Sequence, residues 1–301
     1  MLVTPRDLIV FDAIQKHGPL PSHYLFEFTK HACKDSLGFR KRLLQLTRDG
    51  YLDRPEQLNH PLIFTDFKVY VLTEESRSVL KSAGRINLFA TPVSGGYLHA
   101  LMTACITANI ELGTTRSGYR YISQEEILTR QSCPQQTRLM EKPLSLKTSI
   151  THTFERVGKT PFLGRSERAT EPDQLFGIDY GGGYRFFALE ADRGTEPLTR
   201  PDLNQNSTLR KLLAYKDIIA RRSYMSQWGI PNLFPLFVTT AIERADNMVA
   251  LAQSIFPDGS NVLLFKAIPG FRAYLRTPPL LPALFSDPYL RVGEPFWMSK
   301  A

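Results

Sequence analysis

Residues 172–198 read PDQLFGIDYGGGYRFFALEADRGTEPL. Two strand-like runs, DQLFGIDY and YRFFALEAD, flank a glycine triplet, which is the pattern of a β-hairpin. The second run carries the apolar block Phe186–Leu189 and then Glu190 and Asp192. Side chains two apart on a strand project to the same face. Two carboxylates therefore stand side by side and require a positive charge near them. Loop length decides where Asp173 points, because a one-residue slip moves a strand's side chains to the other face. A turn closed on Gly182-Gly183 sets Asp173 opposite Asp192. A loop of Tyr180–Gly183 sets it opposite Glu190. A loop of Gly181–Gly183 pairs it with Ala191 and sends it to the wrong face. The expectation is an even loop, or an odd one corrected by a bulge, with the three carboxylates on one face.

Outward from the hairpin, helix and strand signals alternate. Ser207–Arg222 reads as a helix capped by Ser207 or Asn206, LFPLFVTT as a strand, Ala241–Phe256 as a helix and NVLLFKAI as a strand. Upstream, Tyr97–Leu112 is a mostly apolar helix, 118–122 a strand and 123–129 a short capped helix or a turn, while 138–168 is basic and without a clear pattern. This is an α/β arrangement with a mixed sheet. The Pro-rich last thirty residues are expected to wrap the surface.

The N-terminal part has a different layout. Thr4 and Pro5 open a helix over 5–16, a second covers 22–31, and a third runs from Asp35 to Arg48 until Asp49-Gly50 stops it. Phe39, Leu43 and Leu46 share one face of the third helix; Arg40, Lys41 and Arg42 are its basic cluster. Two short strands and the helix EESRSVLKSAG follow. Three helices, a hairpin and a helix match a winged helix-turn-helix domain, with the third helix as recognition element and 54–66 as the wing. Arg40, Lys41 and Arg42 are then the expected DNA contacts. Irregular residues 85–96 mark a boundary, giving a winged helix over 1–90 and a second domain over 91–301. The fold class is α+β.

Bulk properties agree with a polyanionic partner. The 301 residues carry a net charge of +8, and the pI is about 9.4. Such a balance favours nucleic acid first and an anionic membrane second. Cys33, Cys105 and Cys133 are odd in number and form no CxxC pair, which fits a reducing cytosol and gives no zinc site. Arg6, Asp7 and Asp12 interrupt the N-terminus where a signal peptide needs an apolar run. No membrane partner is expected.

Pro172-Asp173, the hairpin and Glu190-x-Asp192 resemble the PD-(D/E)XK nuclease superfamily. In that chemistry Asp173 and Glu190 hold Mg²⁺ or Mn²⁺, which activates water and neutralises charge at the phosphate. The third motif position is usually lysine; here it is Asp192. The lysine has an alternative place on the following helix. KLLAY, residues 211–215, resembles the Gln/Tyr helix motif of RecB-like nucleases, with Lys211 and Tyr215 four apart on one face. The apolar stripe Leu209, Leu212, Leu213 and Ile219 instead favours Lys216 as the inward lysine. The motif is weighed slightly above the stripe.

Together VYVLTEES, LHALM, the PD hairpin, LEADRGTE, KLLAY and FVTTAIER resemble the replication-relaxation family of bacterial plasmids and mobile elements, over most of residues 5–255. Membership implies replication or mobilisation, duplex DNA as partner, other replication proteins as further partners, and a cytoplasmic, plasmid- or nucleoid-associated location. A homodimer is compatible with it. Asp173, Glu190, Asp192, Lys211 and Tyr215 are the catalytic candidates of a metal-dependent endonuclease or nickase. The alternative is a non-catalytic initiator accessory or transcriptional regulator on a vestigial nuclease scaffold.

Overall fold

A computed structural model describes residues 2–33, 35–55, 68–89, 96–156, 159–271 and 278–300. It divides into two compact units, Met1–Arg120 with Ala273–Ser286, and Tyr121–Arg272 with Asp287–Ala301. The architecture is mixed α+β.

In the first unit, α1 (Pro5–His17) begins with a capping box. Thr4 accepts from the Asp7 amide, and the Asp7 carboxylate accepts from the Thr4 amide at 2.8 Å. Helix α2 (Ser22–Thr29) follows the two-residue strand β1 (Leu20–Pro21), and α3 (Ser36–Arg48) is capped by Asp35, whose carboxylate accepts from the Gly38 amide. Phe39, Leu43 and Leu46 are buried, as their spacing requires. A small antiparallel sheet has the order β1–β3–β2, with β2 at Leu52–Asp53 and β3 at Val69–Leu72. Helix α4 (Glu74–Ser82) starts from a Thr73 cap. Of the expected wing at 54–66, only Arg54 and Pro55 lie within the described residues.

Helix α5 (Tyr97–Arg116) belongs to this first unit, so the expected division after residue 90 moves to Arg120. The reason is packing. The helix is buried on nearly every side from Leu101 to Leu112. Its Glu111 meets His17 at 2.6 Å, its Asn109 donates to the Tyr24 hydroxyl at 2.8 Å, and its Gly113 lies against the Phe285 ring of α11 (Ala283–Ser286). Burial opposes the charge on Glu111. The hydrogen bond from His17 and the charge on Lys16 outweigh it and bring the pKa down to about 2. Apolar length alone marks α5 as buried; it does not say against which partner.

The second unit is built on a five-stranded sheet of order β10–β9–β8–β7–β4. Strands β4 (Arg120–Ile122), β7 (Gln174–Asp179), β8 (Tyr184–Asp192), β9 (Phe234–Thr239) and β10 (Leu264–Ala267) are nearly continuous apolar runs. The β7–β8 pair is antiparallel, while β8–β9 and β9–β10 are parallel. Parallel neighbours need crossovers, supplied by α8 (Thr208–Arg221) with α9 (Ser223–Trp228), and by α10 (Ile242–Ile255). Short helices α6 (Gln124–Thr129) and α7 (Gln135–Arg138) precede the hairpin. The basic stretch without a clear pattern forms a separate two-stranded hairpin, β5 (Ile150–Arg156) and β6 (Lys159–Ser166).

The Pro-rich end does more than wrap the surface. Leu284 and Phe285 are buried in the first unit; Tyr289, Phe296 and Met298 are buried in the second. Phe296 packs against Phe234 with ring centroids 5.5 Å apart.

Gly229 ends α9 with φ +67°, and a Cβ there would meet the Ser132 carbonyl oxygen at 2.0 Å. Gly229→Ala combines a left-handed penalty with a backbone clash and should cost about 2–4 kcal/mol. Gly182→Ala, with nothing within 4 Å of its Cβ, is the control. Thermal melts should show a clear drop for the first and little change for the second; equal melts would contradict the packing of α9 on residues 132–133.

Candidate functional site

The β7–β8 register answers the loop question. Gln174 pairs with Leu189 and Asp179 with Tyr184, leaving Tyr180–Gly183 as the connection. The Tyr180 amide donates to the Gly183 carbonyl at 3.0 Å, and Gly181 takes φ +84°. This is the even loop that brings Asp173 beside Glu190. The Asp173 amide donates to the Leu189 carbonyl at 2.9 Å, and its carboxylate accepts from the Ala191 amide at 2.7 Å. Asp173 is thus tied to β8 on both sides of Glu190.

Glu190 is 2% exposed. One carboxylate oxygen accepts from the Tyr215 hydroxyl at 2.6 Å; the other meets the Lys211 ammonium at 2.9 Å. Lys211 also reaches Glu196 at 3.4 Å. The i, i+4 spacing on α8 aims Lys211 and Tyr215 at the same carboxylate. Lys216 does not compete: its ammonium donates to the Ile255 carbonyl at 3.0 Å and lies 5.3 Å from the Phe256 ring centroid.

Asp192 shares the face of Glu190 but has different partners. It accepts from the hydroxyl of Thr239, its register partner on β9, at 2.8 Å, and from the Gly194 amide at 3.2 Å. Arg244 on α10 forms a two-pronged ion pair with it. The same guanidinium donates to the Glu196 carbonyl at 2.6 Å. The positive charges demanded by the two strand-end carboxylates are therefore Lys211 for Glu190 and Arg244 for Asp192.

Burial is the largest influence on Glu190 and raises its pKa; Lys211 opposes this, and neighbouring Asp173 adds to it. Burial likewise disfavours the charge on Lys211, yet Glu190, Asp173 and Glu196 together hold its pKa above the ordinary lysine value. Burial and the Glu190 charge push the Tyr215 hydroxyl well up, so it stays a donor.

Asp173, Glu190, Lys211 and Tyr215 form one constellation; Asp192 is turned into an anchor by Arg244. Sequence reasoning missed Arg244, Thr239 and Arg210. The signal for Arg244 was available: in a β–α–β crossover the first turn of the helix lies near the strand's carboxyl end, and Arg244 is in the first turn of α10. Arg210 is 4% exposed and donates to the carbonyls of Arg168 at 2.6 Å and Ala169 at 3.0 Å. It anchors the end of the β5–β6 hairpin to α8.

In the first unit the basic cluster of α3 splits. Arg42 donates to both oxygens of buried Asp7, at 3.0 and 2.5 Å, and to the Leu2 carbonyl at 3.0 Å. It clamps α3 to α1, which corrects its expected place on the DNA-contacting face. Arg40 and Lys41 are exposed.

Among the described residues no group of three or more His, Cys, Asp or Glu side chains gathers as a metal cluster, and no helix is long and apolar enough to cross a membrane. Compared with family models, curated proteins and solved structures, the chain has no significant match in any of the three.

Lys211→Met isolates a buried glutamate. Glu190 already has a raised folded-state pKa, so the folded form holds more proton than the unfolded one above the ordinary 4.5. Removing Lys211 raises that pKa further. Stability of the variant should fall as pH rises from about 5 to 8, reaching about 3–5 kcal/mol below wild type at neutrality, and recover on acidification. Melting temperatures across that range check it; a deficit independent of pH would mean that Glu190 is not the group left unpaired.

Proposed function

We propose that the chain is a DNA-binding protein of plasmid or mobile-element replication or mobilisation, a member of the replication-relaxation group. In this reading its first unit is a winged helix that holds duplex DNA, and its second is a nuclease-like domain that hydrolyses a phosphodiester. It works in the cytoplasm on plasmid or nucleoid DNA, alongside other replication or mobilisation proteins. One observation carries the reading: Asp173 on the turn into β7, Glu190 at the end of β8 and Lys211 on the next helix converge, with the lysine at 2.9 Å from Glu190.

The donor set fits a divalent cation. Asp173 and Glu190 sit side by side, and the Lys211 ammonium, 2.9 Å from Glu190, already feels the charge of both. Bound Mg²⁺ or Mn²⁺ would lower the pKa of a water and neutralise phosphate charge. The protein's own parts support this. Tyr215 fixes one oxygen of Glu190 by its hydroxyl. Lys211 supplies a charge to meet the phosphate, a role that the third motif position cannot play because it holds an acid, Asp192, itself paired with Arg244. Arg40 and Lys41 on α3 give the first unit its phosphate-binding face.

One observation favours the second reading, a docking scaffold without cleavage. Both oxygens of Glu190 are engaged inside the protein, by Tyr215 and Lys211.

Supercoiled plasmid incubated with the full chain separates the two. The expected result is Mg²⁺- or Mn²⁺-dependent nicking, reduced about 10²-fold or more in Glu190→Gln, the scale for losing one group that stabilises developing charge. DNA binding without nicking under either cation would leave the scaffold reading.

Duplex binding has its own test. Arg40→Glu with Lys41→Glu should weaken a gel shift and flatten its salt dependence by about 0.9 per lost phosphate contact. Arg42 is left in place because its loss would unpair buried Asp7. Unchanged binding and slope would remove α3 as the contact.

A further inference from the structure

The outward face of α3 is not uniformly charged. Opposite buried Phe39, Leu43 and Leu46, the helical period aligns Leu37, Lys41, Leu44 and Arg48, with Arg40 beside them. Leu37 is 62% exposed and Leu44 37%; Arg40, Lys41 and Arg48 are exposed. Asp35 and Asp49 flank the helix at its two ends, and the Asp35 carboxylate is engaged as the cap. The strip itself carries no acid.

Single exposed leucines need no explanation. Two leucines separated by two turns, with a lysine between them and arginines around, make an apolar line inside a cationic border. A second copy of the same face would bring like charges together, because a twofold interface sets a patch against itself. An anionic partner meets the border favourably, and duplex DNA also offers apolar groups within its charged rim. These are the C5-methyl groups of thymine on the major-groove floor.

We propose that Leu37 and Leu44 contact thymine methyl groups in the major groove while Arg40, Lys41 and Arg48 hold the adjoining phosphates, so that α3 selects thymine-bearing sites. The inference deepens, and rests on, the reading of α3 as the DNA-contacting helix. Seven residues of α-helix advance about 10 Å, roughly three base steps at 3.4 Å each. Where the helix axis follows the groove, which runs oblique to the duplex axis, the two thymines are therefore separated by no more than about three base steps.

The test uses the full chain and a pool of random-sequence duplexes. Bound duplexes are selected and sequenced, and the best is remade with deoxyuridine in place of thymine, which removes only the methyl. Enrichment of spaced thymines is expected, with a loss of about fourfold in affinity per contacted methyl. Leu37→Ala with Leu44→Ala should bind the thymine and deoxyuridine duplexes equally, with the wild-type salt dependence retained. Binding that depends on Lys41 but ignores the methyl in wild type overturns this inference alone. Failure to retain any duplex overturns the DNA-binding reading beneath it.

Discussion

The second unit depends on one buried ion pair. Placing Glu190 at 2% exposure on a central strand is costly unless its charge is met, because an unpaired carboxylate in an apolar interior loses its hydration without replacement. Lys211 and Tyr215 meet it from α8. That requirement fixes the rotation of α8 about its axis and its height along β8. The apolar residues Leu209, Leu212 and Leu213 then pack where this geometry allows. Breaking such a pair from one side is far more damaging than replacing both partners by hydrophobic groups. Retaining it therefore favours a role beyond stability, which is the logic behind reading the constellation as a site.

Asp192 solves the same problem by another route. It lies one residue beyond the buried stretch, half-buried, and binds Thr239 on the neighbouring strand and Arg244 on α10. Arg244 then reaches the Glu196 carbonyl, which positions the turn carrying the Glu196 carboxylate to Lys211 at 3.4 Å. Two like charges on one face coexist because separate helices supply separate cations. The turn after β8 closes the circuit between them.

The hairpin was legible because strand periodicity is two and the loop options were few. Counting residues set Asp173 opposite Asp192, Glu190 or Ala191 according to loop length, and the four-residue loop selected Glu190. The choice between Lys211 and Lys216 was less legible. By spacing Lys216 falls within the stripe of Leu209, Leu212, Leu213 and Ile219, yet the structure leaves it exposed, with its ammonium on a backbone carbonyl and near an aromatic ring. Arg42 was misread for a related reason. Asp7, its partner, lies on another helix 35 residues away, and pattern along one helix carries no information about that pairing. The allegiance of α5 was hidden because a helix apolar on every side has no distinguishing face.

Charge balance links these details to the proposed cation. Among the described residues, Glu190 and Glu196 are in ion-pair contact with Lys211 and Asp192 with Arg244, while Asp173 acts on both Glu190 and Lys211. Arg210 interacts with Glu190 and Glu196 through space, while its hydrogen bonds go to backbone carbonyls and the Thr170 hydroxyl. Under the proposed function, a divalent cation held by Asp173 and Glu190 would make the local charge more positive and would free Lys211 to face a phosphate. On the proposed function, contact between DNA and the second unit would then depend on that cation, whether or not hydrolysis follows.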